Sequence, residues 1–111
     1  MSFSPLAYPL AQQHVAFDIY KFIQRALPHD KVRRGASETI KALKRGDVGL
    51  VVLAADCDPI DIILHIPPIC EQCDVAYVFV PSQHILGRAS DISSNVISVC
   101  VLRGRHDLDM E

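Results

Sequence analysis

The feature that most constrains the fold is the run over residues 48–55, which is short, rich in β-branched residues and almost wholly apolar. A strand of this composition has apolar side chains on both faces, and such strands lie inside parallel or mixed sheets that are covered by helices. Half of the 111 residues are apolar. A chain of this length and composition can bury one sizeable core, so we expect a single domain over residues 1–111.

Helical and strand-like patterns alternate along the chain. Apolar residues at three- and four-residue steps predict a helix over 9–26, and a second helix should begin near Gly35 and end at Gly46. Asp58 and Pro59 are suited to begin a third helix, which should break at Pro67. The remaining predicted elements are a short helical stretch through residue 70, a strand over 75–80, a helix over 81–89 and a strand over 96–102. This order predicts a three-layer α/β/α sandwich with a central mixed sheet, and frayed ends at 1–6 and 104–111.

Positive charge is concentrated in one window, although the whole chain has a net charge of −2. Residues 31–45 contain six of the 11 Lys and Arg but a single acid, Glu38. A basic turn over 31–35 leads into the second helix, whose N-terminus presents unpaired backbone N–H groups and a partial positive charge. Gly35 would let a phosphate backbone approach closely. The window therefore predicts a nucleic-acid-binding surface.

Glu38 is the unusual member of this window. It shares a helix face with Lys41 and Arg45, and Ser37 and Lys44 flank that face. A carboxylate beside a polyanion is repelled unless it accepts hydrogen bonds from a base edge, such as guanine N1–H and N2–H. The alternative interpretation is an ordinary helix-surface ion pair between Glu38 and Lys41. Both interpretations stay open on the sequence alone.

Two isoleucines are candidate base contacts. Ile62 lies in a segment with more isoleucine than one buried helix face requires, and Ile92 lies in a serine-rich connection over 90–95. An exposed isoleucine can pack against an unstacked base. For Ile92, a loop anchor that dips into the core is an equally good interpretation.

We find no enzyme motif in the sequence. Cys70 and Cys73 have C-x-x-C spacing, but no second pair completes a zinc site, so we predict free thiols, no metal and no cofactor. A small thiol-redox protein using Cys70 and Cys73 is the rival from another class, and a protein-only interaction module is a third possibility. The chain has no secretory pattern and no apolar run near the ~20 residues of a membrane span, which predicts a cytosolic or nuclear protein.

Four separated segments are similar, in the same order, to the kink-turn RNA-binding family of ribosomal and snoRNP proteins. They resemble most closely its eukaryotic spliceosomal and box C/D snoRNP branch. The segments are AYPLA at 7–11, RRGASE at 33–38, AADCDPIDIILHIP at 54–67, and YVFVPS at 77–82 with LGRA at 86–89.

The resemblance implies a protein that binds sharply bent RNA with tandem sheared G·A pairs. The position of Gly35 would approach the backbone, that of Glu38 would contact guanine, and Asp58, Ile62 and the loop around Ile92 would surround a flipped-out nucleotide. The full predicted RNA-binding set is Arg33, Arg34, Gly35, Ser37, Glu38, Lys41, Lys44, Arg45, Asp58, Ile62, Ile92 and Ser94.

The resemblance further implies a non-enzymatic protein of the nucleus and nucleolus, monomeric without RNA. It would nucleate box C/D snoRNP and spliceosomal snRNP assembly together with other snoRNP and spliceosomal proteins, and an H/ACA snoRNP or ribosomal role is the alternative. Four positions depart from the family pattern. Ser37 replaces the usual asparagine, Gln83 replaces a basic residue, and Ser94-Asn95 stands where close relatives have Arg-Pro. These departures predict weaker binding or broader tolerance of RNA form.

Overall fold

The computed structural model describes residues 6–103, and residues 1–5 and 104–111, expected to be frayed ends, lie outside this part. Within residues 6–103 a mixed sheet is sandwiched between two layers of helices, which confirms the predicted three-layer architecture. The strands are β1 (Val32–Arg34), β2 (Val48–Ala54), β3 (Ala76–Val80) and β4 (Ser98–Leu102), in the order β1-β4-β2-β3. The helices are α1 (Gln13–Ala26), α2 (Ala36–Arg45), α3 (Ile66–Gln72) and α4 (Gln83–Ala89).

The apolar run forms the centre of the sheet, as its composition predicts. β2 lies between β4, which is antiparallel to it, and β3, which is parallel to it. Val51 and Val52 are fully buried on opposite faces. Val51 packs in the cluster beneath α2 and α3, and Val52 packs in the cluster beneath α1 and α4. Each such side chain contributes ~1.5–3 kcal/mol through its burial.

The basic segment predicted as a turn is instead the edge strand β1. Val32 is buried and lies opposite Val101, and Arg34 lies opposite Val99 on the antiparallel neighbour β4. Three residues are too few to show a period of two, and their partner strand lies far along the chain. The local sequence therefore contains no pattern that predicts this strand.

The helix predicted over 9–26 begins four residues later, at Gln13. The segment before it runs parallel to β3: the Phe79 N–H donates to the Pro9 carbonyl oxygen at 2.8 Å and the Ala11 N–H to the Phe79 carbonyl oxygen at 2.8 Å. These backbone groups bond to the sheet edge, so they are unavailable for a helical turn.

The helix predicted after Asp58-Pro59 is also wrong. Asp58 is no cap, and the segment forms only a short 3-10 turn over Ile60–Ile62. α3 instead begins at Ile66, so the two prolines that were expected to break a helix occupy its first turn. The reason is that N–H groups in a first turn have no helical partner, and proline loses nothing there.

The other predicted boundaries fall close to the observed ones. Gly46 ends α2 with φ +76°, and Ser82 caps α4 by accepting a hydrogen bond from the Ile85 N–H at 3.1 Å. β4 begins two residues later than predicted, because the Val96 N–H bonds to the Gln83 carbonyl oxygen at 3.1 Å. In the described part of the chain, no helix combines the length and apolar character needed to cross a bilayer.

Candidate nucleic-acid interface

One end of the sheet gathers the segments that the sequence singles out. β2 and β3 both end here, with Ala54 beside Val80, while β4 begins here at Ser98 and β1 ends at Arg34. Four connections therefore meet at this end: Gly35 at the start of α2, and residues 55–62, 81–83 and 90–97. We call this cluster of four segments the candidate site.

Gly35 has a backbone conformation that favours glycine. Its φ is +97° and its ψ 151°, and its N–H donates to the Ser98 carbonyl oxygen at 2.7 Å. An L-residue is strained in this region. No heavy atom lies within 4 Å of the position that a Cβ would occupy. The backbone at the start of α2 is thus open to the close approach that the sequence predicts.

A buried polar pair lies beneath Gly35. The Thr39 hydroxyl donates to the Gly35 carbonyl oxygen at 2.9 Å. The Ser98 hydroxyl lies 2.8 Å from the Thr39 hydroxyl and completes the chain of hydrogen bonds. Both side chains are fully buried. Our sequence reasoning missed this pair, although Thr39 has helical spacing with buried Ala42 and Leu43. The pair holds the start of α2 against the start of β4.

Replacing Thr39 with valine should lower the free energy of unfolding by ~1–3 kcal/mol, because the buried Ser98 hydroxyl loses its partner. Urea denaturation would measure this, with the exposed neighbour change Ser37→Ala as a control expected within ~0.5 kcal/mol of the parent. Combining Thr39→Val with Ser98→Ala should restore part of the loss. Equal midpoints for Thr39→Val and Ser37→Ala would show that the pair does not brace the site.

The two adjacent arginines of β1 point to opposite faces of the sheet, as neighbouring strand residues must. The Arg34 Nε donates to the Ser90 carbonyl oxygen at 2.7 Å, and this contact holds the loop over 90–95 beside the start of α2. The Arg33 guanidinium turns back to Asp30, with Nη1 3.1 Å from its carbonyl oxygen and 3.5 Å from its carboxylate. Arg34 therefore has a positioning role that the sequence did not suggest, and RNA contact by either arginine stays a prediction.

The exposed face of α2 contains the ion pair that the sequence left as an alternative. Lys41 Nζ lies 3.6 Å from Glu38 Oε2, with the two side chains 63% and 48% exposed. An exposed pair of this kind is worth ~0–1 kcal/mol, so it can open for a stronger partner. Ser37, Lys44 and Arg45 are also exposed. The guanine contact of Glu38 stays a prediction beside the observed pair.

The loop over 90–95 is packed closely against α4. Ile92 is half-buried against the cluster beneath α1 and α4, as the anchor interpretation predicts, and its N–H donates to the Gly87 carbonyl oxygen at 3.0 Å. Gly87 permits this packing, because an added Cβ would overlap the Ser94 carbonyl oxygen. Ser94 is exposed. The loop thus has a fixed course, with the Ser90 side chain buried against α4 and the side chains of Ser93 and Ser94 exposed.

The segment over 58–62 contributes an exposed apolar group at the same end of the sheet. Ile62 is 47% exposed and Asp58 is exposed. Asp58 precedes the short 3-10 turn over Ile60–Ile62 and Ile62 ends it, so neither lies on an α-helix. The exposure of Ile62 agrees with the excess of isoleucine noted in the sequence, whereas the predicted helix is absent from this segment. Base contact by Asp58 or Ile62 stays a prediction.

Gln83 links the remaining segments of the candidate site. Its backbone N–H donates to Asp56 Oδ1 at 2.9 Å, and its side-chain amide donates to the Asp56 carbonyl oxygen at 3.1 Å. The residue that departs from the family's basic pattern therefore fastens the end of β2 to the start of α4. We did not predict this contact, and the local sequence contains no pattern that indicates it.

The thiols lack the character of a redox pair. Cys70 is fully buried, and burial raises its pKa to about 11, with smaller contributions from Cys73 and Cys100. A reactive thiol needs a lowered pKa and access to solvent. All four cysteines are free, and residues 6–103 contain no group of three or more potential metal ligands. These properties oppose the thiol-redox alternative.

Comparison with known proteins identifies the family. The profile of the ribosomal protein L7Ae/L30e/S12e/Gadd45 family matches residues 18–109. The chain is 43% identical over 98 residues to NHP2-like protein 1 homolog from Drosophila melanogaster, covering 88% of this chain and 77% of that protein. It is 44% identical over 98 residues to the 13 kDa ribonucleoprotein-associated protein of Mycosarcoma maydis, covering 88% and 78%.

A solved structure agrees with this assignment. The structure titled Giardia lamblia 15.5kD RNA binding protein superimposes with a TM-score of 0.89 at 34% identity, covering 96% of this chain and 88% of that one. The profile match extends over most of the chain, and the curated relatives exceed 40% identity over 88% of it. The chain therefore belongs to the ribosomal protein L7Ae/L30e/S12e/Gadd45 family.

Proposed function

We propose that this protein is a non-enzymatic RNA-binding protein that recognises kink-turn RNA. One observation carries the proposal. The basic helix α2, which begins at Gly35, and the loop over residues 90–95, which Arg34 holds in place, meet at one end of the sheet. Relatives named as RNA-binding and ribonucleoprotein-associated proteins support it.

The start of α2 would dock at the tandem sheared G·A pairs. Gly35 leaves room for the RNA backbone, and the N-terminal N–H groups of α2 favour an anion there. Glu38 would exchange its exposed partner Lys41 for guanine N–H donors. Lys41, freed from the pair, would join Arg45 in neutralising phosphates.

The second half of the candidate site would surround the flipped-out nucleotide. Ile62 offers an exposed apolar surface, and Asp58 offers an acceptor for base N–H groups. Ile92 fixes the course of the loop, and Ser94 supplies a hydroxyl where close relatives have a cation. Because Ser37 and Ser94 are shorter than the usual residues, some contacts would pass through water.

Box C/D guide RNA and a spliceosomal small nuclear RNA are the targets we propose first. The protein would then nucleate snoRNP and spliceosomal particles in the nucleus and nucleolus, and its bound RNA would recruit further proteins. An H/ACA snoRNP or ribosomal role is the second candidate, and the NHP2-like names of several relatives support it. Sequencing the RNA recovered with the protein separates the candidates, because box C/D and H/ACA guides have different consensus elements.

A gel-shift comparison tests kink-turn recognition directly. The standard kink-turn should bind at least about tenfold more tightly than a variant whose G·A pairs are replaced by Watson–Crick pairs, since each altered pair costs ~1–3 kcal/mol. Both RNAs must be measured at one salt concentration, because phosphate contacts make affinity strongly salt-dependent. Equal binding of the two RNAs would mean that the basic surface binds phosphate without recognising the bend.

A further inference from the structure

A groove lies between α4 and the loop over residues 90–95. It has a volume of about 440 Å³, within the range of about 300–1,000 Å³ that is typical of ligand clefts. Its lining residues are His84, Arg88, Asp91, Ile92 and Ser93. Only Ile92 belongs to the set predicted from the sequence.

Two donor side chains line the groove. His84 and Arg88 are exposed and lie one turn apart on α4, so they share a face. Within the described part of the chain, neither side chain makes a hydrogen bond or an ion pair, and Arg88 does not pair with nearby Asp91. Their ring and guanidinium N–H groups are available to a bound anion.

The groove is continuous with the candidate site through the loop. Ser90, at the start of the loop, is bonded to Arg34 just before α2. Residues 91–93 form one wall of the groove, and Ser94 lies against Gly87 of α4. An RNA strand that leaves the candidate site and crosses this loop would therefore reach Arg88.

We propose that this groove is a second RNA subsite, which binds an internucleotide phosphate of the strand that crosses the loop. The subsite rests on the proposed RNA-binding function. Arg88 donates to the phosphate in the paired geometry that a guanidinium allows, and His84 donates a ring N–H beside it. Ile92 contacts the sugar or base face. Asp91 accepts from a ribose 2′-hydroxyl, a group that DNA lacks.

The test is a titration of Arg88→Gln with kink-turn RNA over a range of salt concentrations. Loss of one phosphate contact should weaken binding by about three- to tenfold and reduce the slope of log affinity against log salt by about one. The matched control is Arg25→Gln, an exposed arginine near Leu102 at the far end of β4, for which both quantities should stay unchanged. Arg88→Lys keeps the charge and should keep most of the slope.

The outcomes distinguish failure of this subsite from failure of the proposed kink-turn recognition. If the parent protein does not prefer the kink-turn over its Watson–Crick variant, the proposed function itself fails. If it does prefer the kink-turn but Arg88→Gln matches Arg25→Gln in affinity and slope, the groove holds no phosphate. If Arg88→Gln lowers the affinity but leaves the slope unchanged, Arg88 acts by packing rather than by charge, which also overturns the subsite. Circular dichroism of each variant checks that the fold is retained.

Discussion

Replacing Glu38 with alanine should weaken binding of kink-turn RNA by about 5- to 150-fold, which corresponds to the ~1–3 kcal/mol of a good base contact. The direction of the change is decisive. If Glu38 served only to pair with Lys41, its removal would free a cation and leave the helix more positive. Binding to a polyanion would then become tighter rather than weaker. A loss of affinity therefore indicates an acceptor for base N–H groups.

The measurement is a titration at fixed salt with two RNAs, the kink-turn and the form with Watson–Crick pairs in place of G·A pairs. Glu38→Ala should lose affinity mainly for the kink-turn. Lys44→Ala, on the same helix, should weaken binding to both RNAs by similar factors, since a phosphate contact carries no sequence information. The guanine assignment would be wrong if Glu38→Ala bound the kink-turn as tightly as the parent.

The sheet could be predicted because its central strand is defined by its own residues. The run over 48–55 has to be buried on both faces whatever its neighbours are, and this requirement alone implies a sheet with helices on both sides. β1 could not be predicted in the same way. Its three residues become a strand only by pairing with β4, more than sixty residues later. The start of α1 depended likewise on the edge of β3, which holds the backbone before Gln13.

The candidate site likewise combines features set by one short segment with contacts between residues that are distant in the sequence. The Glu38–Lys41 pair and the helix-opening Gly35 follow from spacing within one short segment, and the structure contains both. The contacts that assemble the site are long-range. Thr39 meets Ser98 at a separation of 59 residues, and Arg34 meets Ser90 at 56. No local pattern encodes such pairs, so the sequence indicated which residues could bind but not what holds them together.

Several of the contacts that position the loop end on backbone atoms of the loop or of its flanks. Arg34 bonds a carbonyl oxygen of the loop, Gly35 bonds a carbonyl oxygen at Ser98, and Ile92 bonds the carbonyl oxygen of Gly87. The course of the loop is therefore set by its main chain, and its exposed side chains can vary without moving it. Ser94 can then stand where the family resemblance implies a cation, while the architecture is kept. A change that moves the main chain should cost more than the loss of any single side chain.

Gly87→Ala should be that change. An added Cβ would overlap the Ser94 carbonyl oxygen and lie 3.2 Å from the Ser94 carbonyl carbon and 3.4 Å from the Val96 nitrogen. These are backbone atoms that no rotamer change can remove. The loop must shift, and we expect stability to fall toward or beyond the upper end of the ~1–3 kcal/mol typical of overpacking. Alanine is the better helix former by ~1 kcal/mol, so a net loss would arise from the overlap.

The same variant should bind kink-turn RNA more weakly than Glu38→Ala does, because the shifted loop displaces Ile92 and breaks the contact between Arg34 and Ser90. Gly49→Ala in β2 is the matched control. Its Cβ would lie 3.1 Å from a methylene of the exposed Arg103 side chain, which can move aside. Urea midpoints and RNA titrations of the two variants decide the matter. If Gly87→Ala matched Gly49→Ala in both, the loop would tolerate movement, and its fixed course could not be what aligns the two halves of the site.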